Sequence, residues 1–332
     1  MTIKSLLIAI SSFTLFSCAQ TTHSDPSHSA FAPRSAGANV AADFSRPLDD
    51  QLVRHSFLSS LDNSERDYFV YLPRGYDKNP NKKWPVLLFL HGNGERGNGK
   101  SELGYVLKHG PLYEAWIQKK PLDFIIIAPQ LPMFGMDKYA DYLKNRDITS
   151  IPQRLPQSIP TREPDFVTSE PMAQELAIKD MSNIKPLLPM GWEQIENDLL
   201  QMLKDVAQHY HTDQTRVYLS GLSYGGFGTW YMASKHPEMF AAIAPVVGWG
   251  HPTLMAPIAK AQLPVWAFAG GRDRVILAKH FFAGINKLEA LGHQQVQFTI
   301  HQDMGHDAWK RVYAGDDLYN WFLQHKKPRP QQ

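Results

Sequence analysis

The sequence predicts an α/β protein: a mostly parallel, doubly wound sheet interrupted by one long proline-rich insertion. Apolar, β-rich runs recur at 68–72, 86–90, 124–128, 217–219, 241–247, 265–268 and 296–300, and the central ones are continuous rather than alternating. Strands buried on both faces of a parallel sheet read this way, because neither face meets water. Helical patterns stand between them. Across 192–210 the apolar Ile195, Leu199, Leu200, Met202, Leu203 and Val206 recur at helical spacing, and 277–291 behaves similarly. Strands alternating with helices imply crossover connections and hence a doubly wound sheet. One stretch breaks that rhythm: residues 132–189 hold 8 of the chain's 24 prolines within 58 residues and show no clear period, so they are expected to leave the sheet as an insertion.

Before the first of these strands comes an address. Lys4 precedes a largely apolar stretch at 6–16, too short to span a bilayer but suited to the hydrophobic region of a secretory signal. Cys18, the chain's only cysteine, follows Leu15-Phe16-Ser17, which resembles the lipobox in which cysteine becomes a lipidated first residue. Ser17-Cys18-Ala19 also fits ordinary signal cleavage. The expectation is an exported protein: an outer-membrane lipoprotein facing periplasm or exterior if Cys18 is modified, otherwise a periplasmic or secreted one. In 19–44, Ala, Ser, Thr, Pro and Gly make 16 of 26 residues, the composition of a flexible linker, so the folded domain is expected over 45–332.

Composition narrows the function. With 34 Lys and Arg against 32 Asp and Glu the net charge is +2, which excludes nucleic-acid binding driven by a basic face. A 43% apolar share, with 11% aromatics, supports a large core and excludes wholesale disorder. One cysteine in 332 residues excludes a disulfide framework and a multi-cysteine zinc site.

Beyond the strand ending at Leu90 stands His91-Gly92-Asn93-Gly94-Glu95-Arg96-Gly97-Asn98-Gly99-Lys100-Ser101, which fits three templates. Gly92, Gly94 and Gly97 spell a dinucleotide fingerprint, but no acidic residue stands convincingly at a second strand end about 20 residues on. Gly94, Gly99, Lys100 and Ser101 spell a P-loop, which needs a second strand ending in Asp; the strand at 124–128 runs instead into Pro129-Gln130. In the third template, His-Gly-x-Gly directly after a buried strand presents backbone amides that can hold the negative oxygen of a tetrahedral intermediate. That reading needs a nucleophile downstream.

Ser223 supplies one, in Gly221-Leu222-Ser223-Tyr224-Gly225-Gly226, after a strand and before a helix. A tight strand-turn-helix elbow leaves little room beside its serine, so glycines are required on both sides. Two partners follow in the order acid, then histidine. Asp273 comes 50 residues later in Gly270-Gly271-Arg272-Asp273, at the end of the strand from Val265, and His306 lies in the turn after the last strand. Asp303 and Asp307 compete for the acid role, but on the histidine's own loop they would struggle to reach its far ring nitrogen. His301, at a strand end, competes less well with His306.

At these residues the sequence resembles the α/β-hydrolase superfamily, nearest its branch of predicted peptidases related to polyhydroxybutyrate-depolymerase-like and feruloyl-esterase-like enzymes. The similarity spans about 66–324 apart from the insertion. It rests on Phe89-Leu90-His91-Gly92-Asn93-Gly94-Glu95-Arg96-Gly97, Ala128-Pro129-Gln130, the Ser223 elbow with Gly228-Thr229-Trp230, and Gly305-His306-Asp307-Ala308-Trp309. Departures are Ala269 where histidine often precedes Gly270, Leu277 where proline often follows the acid turn, and the insertion. The resemblance implies a serine hydrolase in which Ser223 attacks an acyl carbon, His306 accepts its proton and Asp273 orients the imidazole. Backbone amides of Tyr224 and of Asn93 or Gly94 would hold the oxyanion, with no metal or organic cofactor. Trp249 and Trp309 are candidates for lining an acyl or sugar pocket, or equally for core packing. Carboxylic esters, small or carbohydrate-linked, are the favoured substrates because they are easier to cleave; a serine peptidase is the alternative, and a P-loop NTPase or a non-catalytic binding module the remote ones. The insertion, leaving at the edge where the elbow emerges, is expected to restrict access to Ser223 without performing chemistry.

Overall fold

The computed structural model describes residues 49–162, 166–172 and 176–327, so the export signal, Cys18 and the linker lie outside the described residues. Eight strands form one sheet in the order β1-β2-β4-β3-β5-β6-β7-β8. They are β1 (Gln51–Leu58), β2 (Glu65–Leu72), β3 (Trp84–Leu90), β4 (Ile125–Ala128), β5 (Thr212–Leu222), β6 (Ala242–Val246), β7 (Val265–Gly270) and β8 (Val296–His301). From β4 to β8 the pairings are parallel, while β1 and β2 form an antiparallel edge, β2 also running antiparallel to β4.

Every run read as a strand is one. The reason is visible in β3, where all seven residues are buried. Leu88 and Leu90 enter one core layer with Trp192, Leu199 and Trp230, whereas Leu87 and Phe89 enter the other with Tyr218, Tyr313 and Phe322. Successive side chains point to opposite faces, so a strand with helices on both sides must be apolar throughout. Each such leucine contributes about 1.5–3 kcal/mol by leaving water. The structure adds β1, for which the sequence reading has no strand. Its burial alternates between partial and full exposure, because it is an edge strand with Arg54 and Ser56 among its apolar residues; too little of it is buried to leave an apolar run.

Register sets the site. Leu90 pairs with Gly221, Leu222 with Val246, and Gly270 with His301. The turns that follow β3, β5, β7 and β8 therefore emerge on one carboxyl edge, where doubly wound sheets hold their ligands.

Among its described residues, the insertion 132–189 contains no strand; it has three short 3₁₀ turns, Met136–Lys138, Asp141–Leu143 and Ile148–Ser150. Its path leaves the carboxyl edge, passes the start of β1 and the segment before β4, and returns to the loops after β7 and β8. Arg154 makes two hydrogen bonds to Asp50, at 2.9 and 2.8 Å, and Arg162 pairs with Glu114. The Thr168 amide donates to the Asp303 carbonyl at 3.1 Å, and the Ile178 amide to the Lys279 carbonyl at 3.1 Å.

Candidate active site

Ser223 joins β5 to the helix Tyr224–Lys235 in a backbone conformation of φ +51°, ψ −115°. A non-glycine residue there costs on the order of 1–3 kcal/mol, and the surroundings enforce it. The Ser223 amide donates to the Val246 carbonyl at 2.9 Å, and the Ser223 carbonyl accepts from the Phe227 amide at 3.1 Å. A Cβ on Gly225 would sit 1.8 Å from the Leu90 carbonyl oxygen, and one on Gly221 would sit 2.3 Å from the Gly225 carbonyl oxygen. The two glycines are thus what allows β3, β5 and the helix to converge beneath the serine.

His306 and Asp273 reach the same point. Asp273 is fully buried at its side chain. Its Oδ1 accepts from the Val275 and Ile276 amides at 2.7 and 2.8 Å, and its Oδ2 accepts from His306 Nδ1 at 2.8 Å. Because a carboxylate only accepts, Nδ1 carries the imidazole proton and Nε2 offers its lone pair. That nitrogen lies 3.1 Å from Ser223 Oγ. The acid loop and the histidine loop approach closely at Gly270, where a Cβ would fall 2.0 Å from the Gly305 carbonyl oxygen. The competing acids are engaged elsewhere. Asp303 pairs with both terminal nitrogens of Arg311, at 2.8 and 2.7 Å, which holds its carboxyl down at about 2; Asp307 faces Lys310 at 3.3 Å. His301 ends β8 with its ring stacked on Phe268.

The candidate oxyanion donors stand at helix starts. Tyr224 opens the elbow helix and Asn93 opens the 3₁₀ turn Asn93–Glu95, positions whose amides have no acceptor within their own helix. Gly94 follows, with open space on the side a Cβ would occupy. The Asn93 loop is braced from afar. Asn93 Nδ2 donates to Tyr142 Oη at 2.7 Å, and an Arg146 terminal nitrogen donates to the carbonyls of Gly94 and Arg96 at 2.9 and 2.5 Å. His91 Nε2 accepts from the Leu131 amide at 2.9 Å while Nδ1 donates to the Gly92 carbonyl at 2.6 Å. Burial pushes His91 down to about 3, which keeps it in this neutral form.

A cleft of about 480 Å³ opens over these groups, lined by Ser223, His306, Asn93 and Gly94. Trp309 lines it too, its ring perpendicular to that of His306 at 5.1 Å. Trp249 does not. It is buried in the core, edge-on to Phe227 at 4.7 Å, so the pocket role considered for it is withdrawn. The chain leaving β6 is drawn against the elbow helix, where a Cβ on Gly248 would lie 2.8 Å from the Gly226 backbone, and that approach carries Trp249 inward.

Tyr105, Lys108, His109, Arg146 and Glu95 also line the cleft, and sequence reasoning assigned them no role. Tyr142, from the insertion, lines it as well. Glu95 is buried, its carboxyl pushed up to about 7 by loss of water, with its oxygens 3.8 Å from His91 Nδ1 and 3.7 Å from His109 Nε2. No local spacing marks these residues; they meet only in the folded chain. Lys100 and Ser101 do not form a phosphate cradle. Lys100 Nζ pairs with Glu65 and Asp67 of β2 at 3.0 and 2.7 Å, and Ser101 Oγ accepts from Asn98 at 2.9 Å, which turns both toward the sheet edge. Among the described residues no group of three His, Cys, Asp or Glu side chains is arranged to hold a metal.

Residues 193–256 match the prolyl oligopeptidase family, a stretch running from just before the helix that precedes β5 to beyond β6. Over 48 residues the chain is 42% identical to poly(3-hydroxyalkanoate) depolymerase C of Paucimonas lemoignei, covering 14% of this chain and only 12% of that relative. A thermostable esterase superposes with a TM-score of 0.59 at 23% identity, over 83% of this chain and 63% of its own. The fluorophosphonate-binding serine hydrolase FphF of Staphylococcus aureus superposes with a TM-score of 0.51 at 14% identity, over 82% of this chain and 98% of its own. At such identities the likeness is one of fold. With its mostly parallel sheet, its elbow after β5 and these superpositions, the chain has the α/β-hydrolase fold.

Proposed function

We propose that the protein is a serine hydrolase that cleaves carboxylic esters through an acyl-enzyme. The observation that carries this reading is the unbroken hydrogen-bonded line from Ser223 Oγ through His306 to the buried Asp273, at the floor of an open cleft. Nε2 accepts the Ser223 proton as Oγ attacks the acyl carbon, and Asp273 stabilises the resulting imidazolium. The negative oxygen of the tetrahedral intermediate is held by the amides of Tyr224 and of Asn93 or Gly94. The imidazolium then protonates the departing alcohol, and water, activated by the same nitrogen, releases the acid. Trp309, Tyr105 and Tyr142 line the cleft with aromatic faces that suit a planar acyl group or a sugar ring.

A serine peptidase is the second reading, favoured by the match of 193–256 to the prolyl oligopeptidase family. That stretch contains the elbow but neither Asp273 nor His306, so it bears on the nucleophile rather than on the substrate. A fluorophosphonate probe is expected to label Ser223 and to leave Ser223→Ala unlabelled. Turnover of p-nitrophenyl, hydroxycinnamoyl and acetyl-sugar esters with no turnover of peptides would support the esterase; the reverse would establish the peptidase. Export, with lipid attachment at Cys18, belongs to the same proposal: Cys18→Ser should move the protein from the membrane fraction to the soluble or unprocessed one.

A further inference from the structure

The loop between β3 and the insertion holds a cation that the chemistry above does not use. Arg96 has no exposed surface. Its Nε donates to Asn93 Oδ1 at 2.6 Å, one terminal nitrogen donates to the Pro132 carbonyl at 2.9 Å, and the other to the Met190 carbonyl at 2.7 Å. Its guanidinium carbon lies 4.7 Å from the centre of the Tyr224 ring. Among the described residues no carboxylate forms an ion pair with it.

Those contacts select particular residues. Asn93 and Tyr224 are the two residues that open the turn after β3 and the helix after β5, and their amides are the candidate oxyanion donors. Pro132 begins the insertion and Met190 follows its end, so one side chain gathers both ends of a 58-residue excursion and both halves of the candidate oxyanion site. Burying a cation without a carboxylate partner is costly, and an apolar side chain would fill the space more cheaply. Burial pulls the guanidinium down only to about 10, so the charge persists at neutral pH. A fixed positive charge at this site, in a medium of low dielectric, stabilises negative charge that develops in the transition state and is absent from the substrate.

Building on the serine-hydrolase reading, we infer that Arg96 is a positioning residue of the oxyanion site: it holds the Asn93 turn in register with the helix that Tyr224 opens and adds a buried positive charge to that site. The test compares Arg96→Met and Arg96→Lys with the wild type after circular dichroism has established their fold. For p-nitrophenyl acetate, Arg96→Met should lower kcat by about 10- to 100-fold with KM within about twofold. Its affinity for a trifluoromethyl ketone, whose serine adduct carries the oxyanion, should fall in parallel. Arg96→Lys keeps the charge but not the fork or the stacking, and should fall between. A folded Arg96→Met with wild-type kcat and ketone affinity would overturn the inference, as would a loss confined to KM. If neither variant folds, Asn93→Ala decides: it removes the Oδ1 through which Arg96 holds the turn, and an unchanged kcat and ketone affinity would equally overturn the inference. The underlying reading fails separately, when the wild type is not labelled at Ser223.

Discussion

The two halves of the candidate site are built differently. In the Asp273 and His306 half, the local one, the side chains are fixed by their own turns: Asp273 by amides two and three residues further on, and the loops of β7 and β8 by their close approach at Gly270. The insertion's hydrogen bonds there go to the neighbours Arg272, Arg274 and Asp303. The Asn93 half is held by partners far away in sequence, with Tyr142, Arg146 and Leu131 each reaching back from 40 to 52 residues downstream. A site whose acid and base are set by their own turns tolerates change elsewhere. One whose oxyanion loop is clamped by an insertion makes that insertion part of the machinery.

The largest effect should come from breaking the local half. His306→Ala should lower kcat by about 10³-fold or more, and Asp273→Asn by a comparable factor without loss of fold. Asp303→Asn and Asp307→Asn should leave kcat within about threefold, since each faces a cation on its own loop or helix rather than His306. Severe loss in Asp307→Asn beside a harmless Asp273→Asn would reassign the acid.

Breaking the distant half comes next. From the sequence, exchanging 132–189 for a short Gly-Ser linker is expected to spare small esters and alter only the preference among bulky ones. The hydrogen bonds from Tyr142 and Arg146 to the Asn93 loop revise that expectation. The exchange should cost p-nitrophenyl acetate turnover about tenfold or more, and Arg146→Met alone a few-fold, chiefly in kcat. Wild-type turnover in both would mean that the loop needs no external brace.

Glu95 offers a smaller, pH-dependent sharpening of the same half. It packs near His91 and His109, both kept neutral by burial, and Lys108 and Arg146 contribute positive charge nearby. Its carboxyl is raised from 4.5 to about 7, so the folded state retains a proton that the unfolded chain has already lost. The stabilisation is complete below about 4.5 and is lost as pH rises through about 7. Glu95→Gln, neutral throughout, should gain stability relative to the wild type on going from pH 5 to pH 8, by on the order of 1–3 kcal/mol. Thermal unfolding at the two values checks it, and an equal difference at both would contradict the raised carboxyl. The smallest effect is expected at Lys100, paired with Glu65 and Asp67 on the sheet edge. Lys100→Ala should leave ester turnover intact, and magnesium-ATP should not shift the Tm of the wild type; a shift that Lys100→Ala abolished would restore the nucleotide reading.

What the sequence alone determined was whatever short-range geometry imposes. Strands buried on both faces had to be continuous apolar runs, and the elbow had to carry Gly221 and Gly225, because a Cβ at either would enter a carbonyl oxygen. Chain order and loop position then singled out Ser223, Asp273 and His306 before any distance was known. The tertiary structure alone decided what depends on contacts between distant segments. It turned Trp249 into the core and left Trp309 over the cleft, paired the edge strand β1 with β2, and brought Glu95 beside His109. It also closed both ends of the insertion on Arg96. Those contacts span tens of residues and impose no spacing on the residues between them, so composition and periodicity carry no trace of them; only the packed chain, where each buried polar group must find its partner, specifies which ones meet.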